Sequence, residues 1–419
     1  MSKLIISGGE KLRGEIQIEG AKNAVLPVLA ASIINGKCNV ISNCPKLRDV
    51  EVMTHILETV GCSIKFEGNT IIVDSSGINK FEIPEEPVRE MRSSIILTGA
   101  MLSRYNKVVI CYPGGCEIGP RPIDLHLKGL RSLGTSITEA HGYIICEAKQ
   151  LTGSDIHLDY PSVGATENIM LAAVTAKGIT YIRNAAKEPE IIDLQNYLNA
   201  MGAKVHGAGS NVIKIEGVGT LNAAEHEIIP DRIVSGTYMV AAAATGGNIV
   251  LKKTAPEHLS SVIANLIESG CKIIAGKDWI ELAGSSRPKA IDTIRTLPYP
   301  GFPTDMQPQM TAYLSVAKGT SIVTETVFEN RFKYVEELAR MGASIKVDGR
   351  LAIIKGVKCL TGAKVNALDL RGGAALVIAG LIAEGETMVY NVKHIDRGYE
   401  GLHQKLCSLG AKIKRVENE

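Results

Sequence analysis

A short pattern recurs six times along the chain, and it constrains the fold more than any other feature of the sequence. It reads L-E-T-V-G-C-S-I at 57–64, L-R-S-L-G-T-S-I at 130–137 and L-N-A-M-G-A-K-V at 198–205. It returns as L-I-E-S-G-C-K-I at 266–273, L-A-R-M-G-A-S-I at 338–345 and L-C-S-L-G-A-K-I at 406–413. Its glycines, at 61, 134, 202, 270, 342 and 410, are 73, 68, 68, 72 and 68 residues apart. Each stands where an amphipathic helix ends and a short strand begins. A left-handed residue is needed there to close the helix, and glycine adopts that conformation without strain. A period of about 70 residues is too long for a solenoid repeat. Each copy is therefore large enough to be a small layered fold in itself.

Around its glycine, each copy reads β-α-β-α-β-β. A strand leads into a helix of small residues, as at 24–34, 169–176, 238–244 and 374–383, and a second strand follows, as at 180–183 and 387–390. Then come the glycine-ended helix and a hairpin, as at 344–347 with 351–354. The first helices are rich in alanine and glycine and nearly uncharged, and a helix apolar all round is a buried one. The pattern predicts an α/β protein of two inside-out domains, each with three βαβαββ units around buried helices. The expected domains are 22–229, and 1–21 plus 230–419. The strands at 4–7 and 15–19 are expected to complete the sixth unit.

One copy is longer than the rest. In five copies the turn before the second strand lies 23 to 25 residues before the glycine, whereas from Asn106 to Gly134 the distance is 28. The extra residues fall in C-Y-P-G-G-C-E-I-G-P-R-P-I-D at 111–124, which contains Cys116 and, five residues later, Arg121. An insertion in one copy of a repeat usually marks a functional loop. Glycines there free backbone amides to approach an anion, and nearby cations tune the ionisation of a thiol. An ordinary surface turn with an incidental cysteine fits the same residues.

Composition removes several classes of function. The net charge is +2 with dispersed Lys and Arg, which does not make a nucleic-acid surface. Nine cysteines occur without a C-x-x-C pair, so neither a zinc site nor a dithiol redox motif is expected, and reduced thiols suit a cytoplasmic protein. No apolar run approaches the ~18 residues of a membrane span, and the run at 4–6 is too short for a secretion signal.

The remaining polar residues gather at helix starts, where free N–H groups and a partial positive charge suit anions. Before the first helices stand Lys22, Asn23, Arg92, Ser162, Val163, Gly164, Asp231, Arg232, Thr304, Asp305 and Arg371. Before the second helices stand Arg48, Arg121, Lys187, Arg331 and Arg397. The set suits a cleft that binds a multiply anionic ligand. Taken singly, Lys22 fits an exposed loop lysine equally well. Arg331 and Arg397 have carboxylates close by in sequence, at Glu329 and Asp396, and Asp305 is also placed for an N-terminal charge role.

These residues fall into motifs: G-A-K-N-A at 20–24, P-G-G-C-E-I-G-P-R-P-I-D-L-H at 113–126, S-V-G-A-T-E-N at 162–168, F-P-T-D-M-Q at 302–307, F-E-N-R-F at 328–332, D-L-R at 369–371 and D-R-G-Y-E at 396–400. In this order they resemble the enolpyruvyl transferases that act on UDP-N-acetylglucosamine, over the whole chain. The resemblance implies the inside-out fold and transfer of the enolpyruvyl group of phosphoenolpyruvate to the sugar 3-hydroxyl, at the first committed step of peptidoglycan synthesis. It implies Cys116 as general acid and Asp305 as the group that takes the hydroxyl proton. Lys22, Arg121 and Arg397 would hold phosphoenolpyruvate and the departing phosphate, and Asn23 would touch both substrates. Arg92, Arg121, Pro122, Ile123, Asp124, Leu125, Ser162, Val163, Gly164, Asp305 and Val327 would bind the UDP-sugar, with Arg331 and Arg371 in support. Neither a metal nor an organic cofactor is implied.

Overall fold

In the computed structural model, which describes residues 2–114 and 123–417, all six repeat glycines lie in left-handed backbone, with φ between 90° and 117°. At Gly61 space adds to the requirement, because a Cβ there would come within 2.5 Å of the Gly77 carbonyl oxygen.

The unit plan is clearest in the fifth copy. Thr293–Arg295 runs parallel to Thr320–Thr324, which is antiparallel to Leu351–Lys355, which pairs with Ser344–Asp348. Four other copies build the same four-stranded sheet. The second copy keeps the three antiparallel strands Lys107–Cys111, Tyr143–Glu147 and Ser136–Ala140, with a single parallel bridge from Glu82 to Val109.

The described residues sort into two compact units, 2–19 with 230–417 and 20–114 with 123–229. Each closes with a strand taken from a distant part of the chain. In the sixth copy Lys3–Ser7 takes the place of the second hairpin strand, antiparallel to Lys412–Val416 and to Glu386–Tyr390. The second N-terminal strand departs from expectation. Arg13–Gln17 leaves the sixth sheet and runs parallel to Asn248–Lys252 in the fourth. The reason lies in the closure of the other unit. Glu225–Glu227, the segment that would lead into the fourth copy, runs parallel to Cys38–Ser42 in the first. Each unit thus takes the lead strand of its first copy from elsewhere in the chain.

The first helices form the centre of each unit. Arg232–Thr245, Gln307–Leu314 and Leu370–Ile382 are buried on every face over 233–243, 307–314 and 371–381. Lys22–Ala31, Leu97–Tyr105 and Val163–Ala173 are buried in the same way over 24–31, 97–103 and 165–173. Their small side chains let helices approach closely, while the amphipathic helices and sheets cover them. The fold is therefore two inside-out α/β domains of three βαβαββ units each. Of the eight cysteines among the described residues, five are buried, and burial pushes the thiols of Cys44, Cys62 and Cys146 up to about 12.

Candidate active site

In the unit that contains residues 230–417, three expected site residues meet. Asp305 lies in the short turn Thr304–Met306, ahead of the helix Gln307–Leu314. Arg331 donates from Nη2 to its Oδ1 at 2.9 Å, and Arg371 donates from Nε and Nη2 to its Oδ2 at 3.2 and 3.1 Å. The arginine side chains are 3% and 2% exposed, against 27% for Asp305, so the carboxylate is the accessible member. Its charge is balanced twice over by rigid planar donors. Asp305 also stands in the first turn of that segment, where a negative charge suits the helix start, and its two oxygens are directed to the two arginines.

The arginines are fixed from behind. Asp369 caps the helix Leu370–Ile382, its Oδ1 accepting from the N–H groups of Arg371 and Gly372 at 2.9 and 3.0 Å. The Arg371 guanidinium lies over the Tyr399 ring, 5.2 Å from its centroid. Burial opposes its charge, yet Tyr399, Asp305 and Asp231 outweigh that and hold its pKa above the usual guanidinium value. The two carboxylates close in sequence to Arg331 and Arg397 have partners elsewhere. Glu329 pairs with Arg350 at 3.1 Å, and Asp396 with Arg415 at 2.8 and 2.9 Å. Arg397 is half-buried in the turn between Val392–His394 and Leu402–Ser408. Val327 donates its N–H to Glu325 Oε1 at 2.8 Å.

In the other unit, Lys22 and Asn23 are the first two residues of the helix Lys22–Ala31 rather than the loop before it. Lys22 is not a solvated loop lysine. Its side chain is 12% exposed and its Nζ lies 2.7 Å from Asp49 Oδ2 in the helix Arg48–Val60. Arg92 opens the turn Arg92–Ile96, Ile123 is buried ahead of the helix Asp124–Ser132, and Asp124 and Leu125 are that helix's first residues. Ser162 caps the helix Val163–Ala173 through Ala165 N–H at 3.3 Å, so Val163 and Gly164 open it. A Cβ on Gly164 would sit 3.1 Å from the His126 ring, a tight contact that would push the ring by a few tenths of an ångström.

Asn168 ties these three segments together. Its Nδ2 donates to Ile95 O at 3.2 Å and to His126 Nδ1 at 3.1 Å, and its Oδ1 accepts from Gly99 N–H at 2.7 Å. With Nδ1 accepting, the inferred neutral tautomer of His126 carries its proton on Nε2. Sequence reasoning missed Asn168, His126, Asp49 and Tyr399 as supports. Asn168, His126 and Tyr399 sit inside the motifs at 162–168, 113–126 and 396–400, which was the available signal; Asp49 acts on a residue distant in sequence and lies in none of them. Cys116, Arg121 and Pro122 lie outside the described residues.

One carboxyl in this unit is not balanced in the same way. Glu167 is buried in the helix Val163–Ala173, and burial, then Glu190 and Glu188, raise its pKa well above the usual value. The unfolded chain ionises at the ordinary carboxylate pKa of about 4.3. Stability from the protonated form is thus complete below that value and is lost as pH rises towards the raised native one. Glu167→Gln, which mimics the neutral acid, should melt higher than wild type at about pH 8 and equally at about pH 4. Equal melting at both values in a calorimetric pH series would contradict this.

The sequence profile described as EPSP synthase (3-phosphoshikimate 1-carboxyvinyltransferase) matches residues 6–406. "UDP-N-acetylglucosamine 1-carboxyvinyltransferase 2" of Caldanaerobacter subterraneus subsp. tengcongensis is 59% identical over 99% of this chain and 100% of its own. "UDP-N-acetylglucosamine 1-carboxyvinyltransferase 1" of Carboxydothermus hydrogenoformans is 54% identical over 100% and 99%. Among solved structures, the enolpyruvyl transferase NikO from Streptomyces tendae superposes with a TM-score of 0.90 at 24% identity, covering 99% of both chains. EPSP synthase from Acinetobacter baumannii gives 0.77 at 20% identity, covering 100% of both. The structures establish the shared architecture. With relatives above half identity along its whole length, the chain belongs to the UDP-N-acetylglucosamine 1-carboxyvinyltransferase family of enolpyruvyl transferases.

Proposed function

We propose that the chain transfers the enolpyruvyl group of phosphoenolpyruvate to the 3-hydroxyl of UDP-N-acetylglucosamine and releases phosphate, the first committed step of peptidoglycan synthesis. The observation that carries this reading is the full-length match to relatives of that name at 52–59% identity. The reaction is an addition followed by an elimination. The Cys116 thiol gives a proton to the methylene carbon of phosphoenolpyruvate. The sugar hydroxyl adds to the cationic carbon as Asp305 takes its proton. Loss of a proton from the new methyl group and departure of phosphate from the tetrahedral ketal then give the enolpyruvyl ether.

Charge supports the assignment of roles. Phosphoenolpyruvate carries close to three negative charges, and Lys22, Arg121 and Arg397 would balance them in a desolvated site. Arg331 and Arg371 would keep Asp305 aimed, as their bonds to it suggest. Arg92, Ile123, Asp124, Leu125, Ser162, Val163, Gly164 and Val327 would take the UDP-sugar, and Asn23 both substrates. No helix among the described residues is long and apolar enough to cross a membrane, and we assign the reaction to the cytoplasm, where phosphoenolpyruvate is made.

The role of Cys116 is tested with the epoxide fosfomycin, a small phosphonate electrophile. It should alkylate Cys116 at one equivalent per chain and abolish turnover. Cys44, Cys62 and Cys146 should stay unmodified, since burial keeps them as thiols. Peptide mass mapping that places the adduct on the exposed Cys38 instead would remove Cys116 from the mechanism.

A further inference from the structure

We propose that Glu325 is a positioning residue that fixes Asp305 and the Val327 backbone through one carboxylate. The inference rests on the reading of Asp305 as the group that takes the hydroxyl proton and of Val327 as a UDP-sugar contact. Glu325 is 1% exposed and follows the strand Thr320–Thr324. Its Oε1 accepts from the N–H of Val327 at 2.8 Å, the N–H of Phe328 at 3.1 Å and the hydroxyl of Thr296 at 2.8 Å. Its Oε2 accepts from the hydroxyl of Thr304 at 2.8 Å. Thr296 Oγ1 in turn accepts from Thr326 N–H at 2.8 Å, so its proton is committed to Glu325.

A carboxylate this buried is costly unless its oxygens are occupied, and here neutral donors occupy them. Those donors come from three places: the Thr296 position, the turn at 326–328, and Thr304, the residue immediately before Asp305. The loop between Thr296 and Thr304 closes on itself through Leu297 N–H to Phe302 O at 3.0 Å and Gly301 N–H to Pro298 O at 2.9 Å. Glu325 therefore grips both ends of that loop at once. Arg331 and Arg371 orient the Asp305 carboxylate, one residue beyond the loop's second end, while Glu325 sets where the backbone before it stands. One side chain thus couples the proton-accepting group to the segment assigned to the UDP-sugar. Displacement of a reacting group by about 1 Å is enough to cost up to 100-fold in rate.

Steady-state kinetics with both substrates test this. Thr304→Val removes only the bond to the Asp305 side. It should lower kcat about tenfold and leave the KM for UDP-N-acetylglucosamine within about threefold, and Thr304→Ser should restore kcat. Glu325→Ala frees both segments and should lower kcat and raise that KM together. Glu325→Gln, whose oxygen still accepts and whose amide donates to Thr304, should recover most of both. Should Glu325→Ala fail to fold, the Thr304 pair decides. A Thr304→Val enzyme with kcat within threefold of wild type overturns the proposal, as does a loss that Thr304→Ser does not restore. Asp305→Asn is run alongside. If it is inactive while Thr304→Val is normal, the positioning role alone fails; if it turns over normally, the reading of Asp305 fails and takes the proposal with it.

Discussion

Asp305→Asn should lower kcat by about two to three orders of magnitude at saturating substrates, the range expected for loss of a general base. An asparagine fills the same space but takes no proton. The change also acts on the fold. Arg331 and Arg371 are almost wholly buried and would face a neutral amide, which should cost roughly 2–3 kcal/mol. Thermal unfolding separates the two effects, because the kinetic loss persists at temperatures where the variant is fully folded. A folded Asp305→Asn enzyme with near-normal kcat would show that the carboxylate serves only to neutralise the arginines.

Arg397→Ala should lower kcat about 100-fold and raise the KM for phosphoenolpyruvate, since a bidentate cation on a phosphate or carboxylate is lost. The backbone is held on either side of Arg397. Asp396 before it is gripped by Arg415. Tyr399 after it lies under Arg371, and its hydroxyl sits 2.9 Å from Thr237 Oγ1 and 3.1 Å from Gln309 Nε2. Arg397→Lys should recover only part of the loss, because an ammonium keeps the charge and loses the planar fork. Unchanged kcat and KM in the alanine variant would take Arg397 out of the phosphate-holding set.

The fold was legible where local physics dictated it. Six glycines had to be left-handed because helices ended there, and they are. Helices such as Leu370–Ile382, without a charged face, had to be buried, and they are. What escaped was set by closure across long stretches of chain. Nothing in R-G-E-I-Q says that Arg13–Gln17 joins the fourth sheet, or that Glu225–Glu227 supplies the first. The site shows the same divide. Asp305, Arg331 and Arg371 stood out as polar residues at helix junctions, yet their mutual pairing spans 26 to 66 residues, and Arg331 takes Asp305 while its sequence-local candidate Glu329 pairs with Arg350. Lys22 was visible, but its partner Asp49, in the first turn of the helix Arg48–Val60, carried no signal that pointed to Lys22. Glu325 gave no signal at all, because its importance comes from four donors that only the folded chain brings to it.

Phosphate release from phosphoenolpyruvate, measured in parallel with UDP-N-acetylglucosamine and with shikimate 3-phosphate, goes to the centre of the account. Release of one phosphate per UDP-sugar consumed, with none above background for shikimate 3-phosphate, is the predicted result. Release with shikimate 3-phosphate, or silence with UDP-N-acetylglucosamine, would contradict it.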